Sequence, residues 1–155
     1  MKLVIGFSTP KKYKIGACLI RWWLGTPYSH VYIAWDSPSL GDSIVYQATM
    51  HRVNFMLMED FNVDNVTIKK YELETDRAII DKIARNAIHL AGNPYSIREL
   101  GQILLMKVPF LTMGDCGGYI CSELCATFLI KYFNYKFDKP TYLLSPKDIA
   151  EALGG

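Results

Sequence analysis

Two side chains in this sequence have the type and setting for covalent chemistry, one cysteine and one histidine. Cys121 stands in the run Gly118-Tyr119-Ile120-Cys121-Ser122-Glu123-Leu124, where the pair Gly117-Gly118 gives way to an apolar stretch. Read as a helix, that stretch puts the thiol in the first turn. Unpaired N–H groups and the positive end of the macrodipole favour a thiolate there. The glycines would let the backbone turn sharply and a substrate come close, and the Cys121 N–H could face a developing oxyanion. A small buried hydrophobe, like Cys125 one turn later, fits the spacing equally well.

A base raises the functional reading. His30 opens a strand directly after Pro27-Tyr28-Ser29, where an imidazole can stand at a sheet edge facing a helix end. His51 near a strand turn and His89 near a helix C-terminus read as surface or structural residues. A cysteine nucleophile also needs a third polar group to hold its base in one tautomer, and Gln47 on the following strand could supply it. Period-2 alternation lets Gln47 and His30 share a face only if the register permits, so Glu59 and Asp60 stay open as alternatives. Such a site leads us to expect a thiol of lowered pKa, reactive to iodoacetamide near pH 6. Cys116, Cys121, Cys125, His30 and His51 lack Cys-x-x-Cys or His-x3-His spacing, so neither a metal nor a cofactor is called for. Glu123 reads as a first-turn carboxylate, and Asp115 as a loop residue near the site.

The elements that must position these groups follow from patterning. Leu3 to Ser8 is a short apolar run suited to a buried strand. Thr9-Pro10 then reads as a cap and first turn of a helix carrying Ile15, Leu19, Trp22 and Trp23, with the Trp pair as core and groove wall. Gly25-Thr26-Pro27 stops it. His30–Trp35 and Ser43–Thr49 have strand composition around a Ser/Pro/Gly turn and predict antiparallel neighbours. Arg52–Phe55 and Val66–Leu73 add further strands. Thr75 reads as the cap of a helix with Ile79, Ile80, Ile83, Ala87 and Leu90 on one face, ending at Gly92-Asn93-Pro94. A shorter helix is expected over about 96–107. A strongly apolar central helix follows from about Tyr119 to Phe133, and a last short one starts at Ser145-Pro146. Strands grouped between helices, without strict β-α alternation, predict an α+β architecture.

In their order along the chain, Ser29-His30-Val31, Val45-Tyr46-Gln47-Ala48 and Tyr119-Ile120-Cys121-Ser122-Glu123-Leu124 resemble the circularly permuted branch of the NlpC/P60 papain-like hydrolases. In the ordinary branch the cysteine precedes the histidine; here it follows. Phe7-Ser8-Thr9-Pro10, Ile20-Arg21-Trp22-Trp23 and Ser145-Pro146-Lys147-Asp148 extend the resemblance over nearly the whole chain. It implies a papain-like α+β fold, a small antiparallel sheet or half-barrel packed on a central helix that carries the cysteine. It also implies Cys121 as nucleophile, His30 as base, Gln47 as orienting residue and Tyr119 as an active-site tyrosine. Relatives often carry glutamate at the Gln47 position, and glutamine can orient an imidazolium without stabilising it by charge. The expected activity is cleavage of an amide bond, as in a peptide or peptidoglycan fragment, through an acyl-enzyme. Acyl transfer or thioester hydrolysis, with Trp22, Trp23 and Tyr28 as an acyl groove, is an alternative. A non-enzymatic virion or binding protein on the same shell is another.

The bulk numbers fit one domain over residues 1–155, half of it apolar, with 17 basic and 15 acidic residues. Charge scattered in this way makes no case for nucleic acid or a membrane surface. No stretch approaches the length of a membrane span, and the N-terminal apolar run is too short for a signal peptide. A cytosolic protein is therefore expected, with free thiols. Access to cell-wall peptides would then imply a phage-encoded or otherwise delivered protein.

Overall fold

The computed structural model describes residues 1–49, 52–94 and 120–154. Its framework is a five-stranded, wholly antiparallel sheet in the order β4-β3-β2-β1-β5. The strands are β1 (Lys2–Pro10), β2 (His30–Ser37), β3 (Asp42–Ala48), β4 (Val53–Leu57) and β5 (Asn65–Glu74). The helices among the described residues are α1 (Ile15–Leu24), α2 (Met58–Asp64), α3 (Arg77–Leu90), α4 (Cys121–Phe133) and α5 (Pro146–Ala152). The architecture is thus α+β. The helix expected over 96–107, together with His51, Asp115, Cys116, Gly117, Gly118 and Tyr119, lies outside the described residues.

Alternation along the central strands divides the apolar residues between two faces. Leu3, Ile5 and Phe7 of β1, with Val31, Ile33 and Trp35 of β2 and Tyr46 of β3, form the larger core with α4, α3 and α5. Leu124, Cys125, Phe128 and Leu129 bring α4 into it, and the Tyr46 and Phe128 rings lie 5.6 Å apart. On the other face, Tyr32, Ala34 and Val45 are covered by Phe61 and Met58 of α2. Gly6 is required there: a Cβ on it would come within 2.1 Å of the Tyr32 ring. That ring packs tilted against Phe61 with centroids 4.6 Å apart, and its hydroxyl meets Thr67 Oγ1 at 2.8 Å.

Several expectations are corrected. Thr9-Pro10 do not start a helix; they end β1 opposite Val66 and Asn65, at a strand terminus where a missing N–H is tolerated. α1 begins later, after Lys14, with no side-chain cap. Its apolar residues are not core: Ile15 is 68% exposed, Leu19 52% and Trp22 77%. α3 is capped by Asp76 rather than Thr75, because the Asp76 carboxylate accepts from the Ile79 N–H at 2.8 Å. α2 (Met58–Asp64) corresponds to no element that the sequence pattern predicts. Gly25, at φ 64°, closes α1 as its position suggests, and Ser145 with Asp148 forms a reciprocal capping box for α5.

Candidate active site

α4 starts from Ile120, an extended residue that offers no side-chain cap, so the first N–H groups of the helix are left to other acceptors. The Cys121 thiol stands beside them. Its sulfur lies within hydrogen-bonding reach of its own N–H, the Ser122 N–H and the Val31 N–H. Ser122 turns the other way and donates from Oγ to the Leu144 carbonyl, fixing the start of α4 against the segment before α5. Cys121 is 7% exposed, whereas Cys125 is fully enclosed. The two cysteines, alike by spacing, are therefore distinguished by setting. Cys125 is a core residue whose thiol burial pushes well above its usual pKa.

Val31 directly follows His30, so the thiol arrives at the start of β2 from the α4 side. Alternation turns His30 to the opposite face, shared with Tyr32. The β2–β3 register pairs Ile33 with Tyr46, which carries Gln47 to the same face as His30. Gln47 is buried, and its Oε1 lies 2.7 Å from His30 Nε2. The Gln47 amide NH2 donates to Met56 Sδ at 3.0 Å, which orients its carbonyl toward the ring. His30 Nε2–H is then the donor, and the lone pair resides on Nδ1. Glu59 and Asp60 sit exposed in the first turn of α2 and do not take this role.

The electrostatics differ from the expected ion pair. Burial pushes the Cys121 thiol above its ordinary value of 9.0, against the partial relief given by the Val31, Ser122 and Cys121 N–H groups. Burial likewise pulls His30 down to about 4, and the Gln47 contact only partly opposes this. Both shifts favour the uncharged forms, a neutral thiol at Cys121 and a neutral imidazole at His30. The cause is that three backbone N–H groups do not replace the water the thiol has lost, and Gln47 contributes no charge.

Sequence reasoning missed Ser8, which lies opposite His30 in the β1–β2 register. It is fully buried, and its hydroxyl has no partner among the described residues. Only the register could have revealed it. The aromatic groove is not formed as expected: Tyr28 is buried against Phe7, ring centroids 4.9 Å apart, while Trp22 faces solvent. Among the described residues no three His, Cys, Asp or Glu side chains gather as a metal site would require. Compared with protein-family models and with curated proteins, the chain matches none. The fold and geometry define an α+β domain in which a cysteine heads a buried helix beside a strand that opens on a glutamine-held histidine.

Proposed function

We propose that this protein is a cysteine-dependent amide hydrolase on a papain-like shell of the permuted NlpC/P60 kind. The observation that carries the reading is the 2.7 Å contact between His30 Nε2 and Gln47 Oε1, which leaves Nδ1 as the basic nitrogen. The thiol heading α4 lies against the amide of the residue next to His30. A neutral imidazole needs no prior deprotonation to act as a base.

The proposed reaction requires His30 Nδ1 to come to the thiol across the start of β2, because the two side chains lie on opposite faces of that strand. His30 takes the thiol proton as sulfur bonds to the substrate carbonyl carbon, and the N–H groups at the start of α4 receive the oxyanion. Collapse of the tetrahedral adduct breaks the C–N bond, and His30 returns the proton to the leaving amine. Water, deprotonated by His30, then attacks the thioester and regenerates the thiol. Tyr119 would act as a further polar group at the site, as the family resemblance implies.

The test is incubation of wild type and Cys121→Ala with peptides, muropeptides, acyl thioesters and phospholipids, followed by mass spectrometry. Cleavage of an amide by wild type alone, with an acyl adduct on Cys121, is the expected result. Turnover of thioesters or lipids alone would move the assignment to acyl transfer. Equal activity in the alanine variant would remove Cys121 from the mechanism and return the chain to a binding or virion role.

A further inference from the structure

α1 carries an apolar face that no other described element covers. Ile15, Leu19 and Trp22 follow one another at helical spacing and are all exposed, and Tyr13, just before the helix, is 81% exposed. No residue of α1 is fully buried, and α1 packs extensively against no other described element. A helix with nothing to bury against on its most apolar side is stable only if something else covers that side.

The charge around this face indicates what that is. The 17 basic and 15 acidic residues are balanced over the whole chain but unevenly placed along it. Residues 1–35 hold Lys2, Lys11, Lys12, Lys14 and Arg21 and no carboxylate side chain, the first being Asp36. Lys2 is paired with Glu72, and Lys11 donates to the Asn62 carbonyl. Lys12 and Lys14, both exposed and immediately before the helix, are the cations nearest the apolar face, and Asp64, whose carbonyl accepts from the Lys11 N–H at 2.8 Å, is the neighbouring acidic residue. Ten residues make a rod about 15 Å long, too short to span a bilayer but suited to lie in its surface. An apolar face with a Trp, flanked by lysines, is the pattern of an interfacial helix.

We infer that α1, with Lys12 and Lys14, is a docking surface for an anionic lipid bilayer. This reverses the expectation drawn from overall charge, and it stands independently of the reading of Cys121.

The test is co-sedimentation of the full chain with vesicles of phosphatidylcholine alone or mixed with phosphatidylglycerol, with tryptophan emission as a second readout. Wild type is expected to bind the mixed vesicles with a blue shift, and to weaken with salt. Each of Lys12→Glu and Lys14→Glu should cost at least roughly fivefold on mixed vesicles. Leu19→Glu with Trp22→Glu should cost at least about tenfold, with the circular dichroism of the folded protein retained because both side chains are exposed. Cys121→Ala should bind as wild type does. Absence of binding to the mixed vesicles, or binding that the Leu19/Trp22 pair does not weaken, overturns the inference. So does a wild-type dimer that binds no vesicles and that Trp22→Glu converts to monomer, which would assign the face to a second copy of the chain.

Discussion

Alkylation of Cys121 across pH distinguishes a neutral thiol and imidazole from an ion pair. Moving the thiol proton to His30 must bridge the gap between a thiol held above 9.0 and an imidazole near 4. A separation of more than about five pKa units corresponds to about 7 kcal/mol at 1.36 kcal/mol per unit. Even with the two charges as close as about 4 Å, their attraction returns only about 4 kcal/mol at an effective dielectric of 20. The remaining ~3 kcal/mol keeps the ion pair below about 1% of the resting protein. Iodoacetamide should therefore modify Cys121 at a rate that climbs steadily through neutral pH, with no plateau between about pH 4 and 8. Mass spectrometry of the Cys121 peptide separates this reaction from that of Cys18. His30→Ala should leave the alkylation curve within about threefold of wild type while abolishing turnover. A plateau already established near pH 5 would refute the claim that burial outweighs the three N–H groups around the sulfur.

Three further predictions follow from the same contacts. The His30 ring should titrate near 4 by NMR rather than near its ordinary 6.5. Because the folded value is the lower one, His30 supports the fold fully above pH 6.5. That support, about 3 kcal/mol, is lost as pH falls from 6.5 through 4. Urea unfolding of His30→Asn should lack this part of the acid loss, and parallel wild-type and variant curves would contradict it. Gln47→Glu places a carboxylate on Nε2, which should raise the His30 pKa and speed Cys121 alkylation near pH 6 at least about tenfold. An unchanged rate would mean that residue 47 does not govern the imidazole. Gly6→Ala forces the Tyr32 ring off Phe61 and Thr67 and should cost about 3 kcal/mol in urea unfolding; a loss under about 0.5 kcal/mol would count against the close approach.

Most of the strands, the end of α1 and the start of α5 were legible in the sequence because their signals are local. The β-branched and aromatic runs at 30–35 and 43–49, Gly25 after α1 and the Ser145-Pro146 start each carry their own cause. α2 was not legible: a seven-residue helix is too short to show a period, and it forms because Phe61 and Met58 have an apolar sheet face to cover. The placement of α1 failed for the opposite reason. Its period is clear, but periodicity says which residues share a face and not what that face meets. For the candidate site, residue types pointed to Cys121 and His30, which the fold sets on opposite faces of β2. The contact with Gln47 depended on register, and the protonation states on burial, and neither is a property of neighbouring residues. Desolvation outweighs a helix N-terminus only once the surrounding packing is known.

The two proposals bear on each other through the short connection between α1 and β2. Five residues, Gly25 to Ser29, separate Leu24 from His30, and they could span at most about 18 Å even if fully extended. The connection is also held: Thr26 Oγ1 donates to the Tyr28 carbonyl at 2.7 Å, Tyr28 packs on Phe7, and the Ser29 N–H donates to the Ser8 carbonyl at 3.1 Å. A bilayer that received Trp22 and Leu19 would therefore keep His30, and the thiol beside Val31, within a few helical turns of the lipid surface. Substrates with an amide or acyl group presented at that surface would reach Cys121 at high local concentration, whereas soluble peptides would gain nothing from docking. The combination predicts turnover of a lipid-anchored substrate that vesicles raise in wild type but not in the Leu19/Trp22 variant, with turnover of a soluble analogue equal in both. Equal stimulation of both proteins by vesicles would separate the docking surface from the chemistry and leave each to stand alone.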